Sequence, residues 1–150
     1  WFRRVISCMG KGAVKEPGAI VAEQALAAYC PDLADWPASW RIEERDVAPG
    51  QQILECFKPF LLHLLSLGLS KKTLHKHRDN LWLLGGEIIG EISNAPKLRK
   101  RPIEALLFSV LDEEGGPLLS HHESEQEQRA FDSTCRKFFR FLHRGKDQIA

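Results

Sequence analysis

The chain has 150 residues, 21 Lys and Arg against 20 Asp and Glu, and a formal charge of +1. Apolar residues at 43% and charged residues at 27% suit one folded domain that buries about 70% of its unfolded surface, and they exclude a disordered chain. The longest apolar stretch, Phe60 to Leu69, is broken by His63 and Ser66 and falls short of the roughly 20 residues of a membrane-spanning helix, so no membrane association is expected.

Residues 1–18 read as a flexible lead-in, with Gly10, Gly12, Pro17 and Gly18. Met9 is the only methionine and a candidate translation start, the octet before it then being an extension. That octet lacks the apolar core and small-residue cleavage site of a signal peptide. Residues 19–50 are expected to form an Ala-rich helix, Ala19 to Tyr29, stopped at Cys30-Pro31, and then an irregular strap. Trp36 and Trp40 pin that strap to the core rather than forming a stacking platform for a ligand.

Gln51 to Leu67 places Ile53, Leu54, Phe57, Phe60, Leu61, Leu64 and Leu65 at helical spacing. Pro59 is expected to kink or split this helix near Lys58, because its ring meets the carbonyl of Glu55. Gly68 supplies the stop. Ser70 then caps a second helix with Leu74, Leu81, Leu84, Ile88 and Ile92 as its apolar stripe. Gly85-Gly86 in its middle implies close approach of another backbone. Asn94 to Pro102 reads as a loop, and a third helix runs from Pro102 to its end at Gly115-Gly116. Ser124-Glu125-Gln126-Glu127 is a capping box that opens the last helix, with Phe131, Cys135, Phe138 and Leu142 as its apolar stripe and Gly145 as its stop. No strand alternation persists, so the fold class is all-α: four main helices and a small N-terminal one.

The four cysteines, Cys8, Cys30, Cys56 and Cys135, are scattered, without a C-x-x-C. They read as the reduced thiols of a cytoplasmic protein rather than a disulfide framework or zinc site. His75 and His77 lie two apart on a helix and point apart, so they do not chelate as an i, i+4 pair would. His121-His122-Glu123 has no complementary Cys/His cluster and reads as a polar loop. Asp112-Glu113-Glu114 lies at a helix end with nothing apolar to raise a carboxyl pKa, and neither Gly-Gly pair has the context of a phosphate loop. No catalytic residue, metal ligand or cofactor is assigned.

The charge of +1 conceals three blocks. Residues 70–101 carry eight bases against three acids, residues 103–128 seven acids and no base, and residues 129–146 six bases against Asp132. On the last helix, Arg129, Ser133, Arg136, Lys137, Arg140 and Arg144 form a polar stripe opposite the apolar one. On the second helix, Lys71, Lys72, Thr73, His75, Lys76 and Arg78 crowd the first two turns. Bases there oppose the helix dipole, which fits an anion to be met. Two such faces on neighbouring helices put a polyanionic partner on a par with a merely solvated surface.

Residues 60–89, FLLHLLSLGLSKKTLHKHRDNLWLLGGEII, resemble the first helical hairpin of the core-binding, SAM-like N-terminal domain of tyrosine recombinases, the phage integrases. Gly68-Leu69-Ser70-Lys71-Lys72-Thr73-Leu74, His77 and Leu81 occupy that family's turn-and-helix pattern. Pro102 to Gly116 and Ser133 to Gly145 are similar to its third and fourth helices, so the resemblance covers residues 51–145. It implies a four-helix domain of two crossed hairpins that clasps DNA with its second and fourth helices. By position, Lys71, Lys72, Thr73, Lys76, Arg136, Lys137 and Arg140 would be contacts. The family's catalytic Arg, Lys, His and Tyr lie in a further domain outside the resemblance, and the single tyrosine here, Tyr29, precedes it. The expectation is a non-catalytic DNA-binding module of a mobile element, acting with a separate recombinase or transposase. A protein-interaction module remains open beside it, its acidic 104–127 block docking on a basic partner or a second copy to give a homo-oligomer. So does a piece of a longer recombinase.

Overall fold

The computed structural model describes residues 17–120 and 124–149. The lead-in through residue 16, with Cys8 and Met9, and the His121-His122-Glu123 loop lie outside the described residues. Among the described residues six α-helices carry the fold: α1, Pro17–Tyr29; α2, Trp36–Trp40; α3, Val47–Ser66; α4, Lys71–Asn94; α5, Ile103–Val110; and α6, Glu125–Ile149. Short 3-10 turns at Leu33–Asp35, Glu44–Asp46 and Pro96–Lys100 link them, and no strand occurs among the described residues. No helix among them is long and apolar enough to cross a membrane.

Helix α3 is the centre, packed by α1, α2, α4 and α5. Its Phe57 and Phe60 meet Phe138 of α6 at ring-centroid distances of 5.5 and 4.8 Å. Trp36 and Trp40 pack edge-on to Phe57 from the other side, and both are buried. One apolar cluster therefore runs from Leu26 to Leu142, and the tryptophan strap belongs to it. The strap is less irregular than expected: α2 and two 3-10 turns occupy it, and α3 begins at Val47. Pro49 is tolerated there because the first four N–H groups of a helix have no intrahelical acceptor.

The Pro59 expectation needs correction, since α3 does not split there. Proline inside a helix costs about 3 kcal/mol. The buried Phe57, Phe60, Leu61 and Leu64 around it each return about 2 kcal/mol, so packing wins. Gly68 does end the helical run, at φ 68°. Ser70 caps α4 through Thr73 N–H at 3.2 Å, and Ser124 caps α6 through Glu127 N–H at 3.2 Å.

The third helix stops earlier than expected, at Val110. The carboxylate of Asp112 accepts the N–H groups of Glu114 and Gly115 at 2.7 and 3.0 Å and folds the chain into a turn, a local bond that competes with helix continuation. Gly145 does not stop α6, which continues to Ile149. The Gly85 approach is real, but an indole makes it: a Cβ on Gly85 would lie 2.1 Å from Trp40. Trp40 Nε1–H donates to the Trp82 carbonyl at 2.9 Å, which fixes the ring in that notch.

Candidate nucleic-acid interface

At the start of α4, Lys71, Lys72, His75 and Lys76 are exposed. Lys72 and Lys76 stand one helical turn apart on the same face. Thr73 serves the cap, its hydroxyl accepting from Ser70 at 2.9 Å. Arg78 is engaged elsewhere: its Nη1 donates to the Tyr29 carbonyl at 3.2 Å and its Nε to Asp79 at 3.0 Å. It ties α4 to α1, about 160° round the helix from Lys76. Tyr29 completes that tie by donating its hydroxyl to the Leu74 carbonyl. Burial outweighs the pull of Arg78 and pushes its phenol up to about 12.

Along α6, the stripe divides. Arg129 pairs with Glu125 at 3.2 Å, both exposed, and Arg136 donates to the Glu114 carbonyl at 3.1 Å beside the acidic turn. Ser133 is half-buried. Lys137, Arg140 and Arg144 form the other part, and with His63, Leu67 and Phe141 they line a groove of about 180 Å³ between the ends of α3 and α6. The His63 ring lies 5.0 Å from Phe141 and 6.4 Å from Phe60, which gives the groove an aromatic floor.

Lys137 lies one turn beyond Thr134, the α6 residue that His77 of α4 bonds. Burial lowers the pKa of His63, and the charges of Arg144 and Lys137 lower it further. Burial takes His77 down to about 4, with Lys76 and Lys137 adding to the shift.

A buried polar network beneath fixes this alignment. His77 Nδ1 lies 2.7 Å from Thr134 Oγ1, and Asn80 Nδ2 donates to Thr134 Oγ1 at 2.9 Å and to the Ala130 carbonyl at 3.1 Å. Sequence reasoning missed His63, which looked like an interruption of an apolar run, and the Asn80–Thr134 pair, which looked like ordinary polar-face residues. The available signal was spacing: His77, Asn80, Leu81 and Leu84 share the inward face of α4.

The bases at 97–101 are not equivalent to those on α6. Arg99 is largely covered and donates to Asp46 Oδ1 at 2.6 Å and to Glu43 at 3.1 Å. Asp46 is fully buried, and its other oxygen accepts the Ile42 and Glu43 N–H groups at 2.9 Å each. Burial works to raise the Asp46 pKa, but Arg99 and the two N–H donors outweigh it and hold the carboxyl below its ordinary value. Arg99 is a structural cation that holds the Pro96–Lys100 turn to the start of α3.

Cys30, Cys56 and Cys135 are buried and free of disulfides. Burial pushes the Cys30 and Cys56 thiols up to about 12 and Cys135 higher still, so all three behave as small apolar side chains. No family model, curated protein or solved structure matches the chain.

Proposed function

We propose that the protein is a non-catalytic double-stranded DNA-binding module, similar to the core-binding domain of tyrosine recombinases and acting with a separate recombinase of a mobile element. Its contact surface is narrower than the charge pattern alone suggested: Lys137, Arg140 and Arg144 on α6, with Lys72 and Lys76 on α4. What supports this reading is the contact of α4 with α6: His77 Nδ1 lies 2.7 Å from Thr134 Oγ1, with Lys76 beside the one and Lys137 one turn from the other. On this reading Lys76 and Lys137 bring the basic stripes of the two helices into one surface. Lysine and arginine spaced along a helix neutralise successive phosphates and set register, while base contacts would come from whichever side chains enter the groove.

Charge reversal tests the surface. Lys137→Glu, Arg140→Glu and Arg144→Glu together should weaken duplex binding by at least about 10²-fold in a mobility-shift titration, with the helical circular dichroism retained. Reversal of Arg136 and Arg129, which already meet Glu114 and Glu125, should cost much less. Equal losses in the two variants would refute the assignment of the surface.

A further inference from the structure

On the flank of α4 opposite His77 and Asn80, a second groove of about 480 Å³ opens between that helix and the Leu33–Asp35 turn. Asp32, Asp35, Trp36, Arg78, Asp79 and Trp82 line it. Its volume is in the range of small-ligand sites. Its sign is opposite to that of the α6 groove, with three carboxylates against one guanidinium. Arg78 bonds Asp79 and the Tyr29 carbonyl, and its charge also acts on Asp32, so the four charged groups of the groove sum to −2.

Those two carboxylates are presented together. They sit three residues apart around a 3-10 turn, where side chains at i and i+3 eclipse. Asp32 is also oriented: its Oδ2 accepts from Trp36 Nε1 at 3.3 Å and its Oδ1 from the Cys30 thiol at 3.4 Å. Trp82, an indole 40% exposed, lines the groove with them. Its Nε1–H donates to Ser39 Oγ at 3.0 Å, which holds the ring against the strap. A fixed, exposed aromatic face beside paired carboxylates is the environment that a planar cation satisfies, by stacking on the ring while its N–H fork meets a carboxylate.

We propose that this groove is a docking site for an arginine side chain of a partner protein, its guanidinium lying against Trp82 and paired with Asp32 and Asp35. The site differs from the DNA surface in sign, since its negative potential repels phosphates, although Asp79 of its lining lies one turn from Lys76 on α4. Arginine suits it better than lysine because the compact ammonium neither stacks over a ring as a plane nor pairs bidentately with a carboxylate.

The probe is the peptide acetyl-Gly-Arg-Arg-Gly-amide, compared with peptides carrying lysine or citrulline in place of both arginines. The indole N–H signal of Trp82, identified with Trp82→Phe, is followed in nitrogen–proton correlation spectra. The arginine peptide should shift that signal saturably, the lysine peptide more weakly, and the uncharged citrulline peptide not at all. Asp32→Asn with Asp35→Asn should weaken the arginine response about tenfold. Asp35→Asn alone, at an exposed residue, keeps the test valid if the double variant is unstable, and it should weaken the response about threefold. No shift at millimolar peptide, or an equal response to citrulline or lysine, would overturn the proposal.

Discussion

Burial keeps His63 and His77 neutral at ordinary pH, with the help of nearby cations. His77 is the more constrained, because its ring bonds Thr134 where α4 crosses α6. Its folded pKa, about 4, lies below the ordinary 6.5. Between those values the unfolded chain takes up a proton that the folded chain refuses, so stability is full above about pH 6.5, falls as pH drops, and levels off near pH 4. From about pH 7.5 to about pH 5, wild type should lose roughly 2 kcal/mol that His77→Gln does not lose, measured by denaturant unfolding. Identical pH profiles in the two proteins would contradict a neutral, buried His77. This role was hidden in the sequence because His77 lies among Lys76, Arg78 and Asp79, and only packing against α6 separates it from them. The partition of the cations was hidden for the same reason. Arg78 and Arg99 count as bases in the sequence, yet each is tied to a residue at least 49 positions away.

At the scale of helices, local signals were legible and long-range ones were not. Ser70, Ser124 and Gly68 act through their immediate neighbours, and each marks the helix boundary its sequence implies. Pro59 and Gly145 are breakers by local preference alone, and both lie inside helices. The Gly85-Gly86 pair announced a close contact, but nothing in α4 itself names Trp40 as the group that fills it. Two glycines of this helix should therefore respond with opposite signs to the same substitution. Alanine gains about 1 kcal/mol over glycine inside a helix. At Gly90 no atom lies within 4 Å of the new methyl, so Gly90→Ala should raise stability by up to that amount. At Gly85 the methyl collides with the Trp40 ring and breaks its bond to the Trp82 carbonyl, so Gly85→Ala should lower stability by about 2 kcal/mol despite the gain in propensity. Thermal unfolding of the two variants checks both signs.

Across the whole molecule, charge is separated by face. The sequence blocks foretold separation but not its geometry, since a block in the chain is not a patch in space. Residues 97–101 add to the basic block in sequence, yet Arg99 closes a salt bridge with buried Asp46. Arg136 belongs to the α6 stripe, yet it leans on the acidic turn at Glu114. The proposed DNA surface takes five of the remaining cations, Lys72, Lys76, Lys137, Arg140 and Arg144, and an acidic groove lies around Trp82. The all-α class was readable from helical periodicity alone, whereas the pairing of α4 with α6 depends on the His77, Asn80 and Thr134 network. If the five cations meet DNA phosphates, binding releases a counterion for nearly every one of them. A titration of duplex DNA across salt concentrations reads that number directly. The log–log slope should be about −4, so that affinity falls on the order of 10²-fold between about 50 mM and about 200 mM salt. A slope near zero, or no duplex binding at the lowest salt, would contradict a phosphate-contacting surface on α4 and α6.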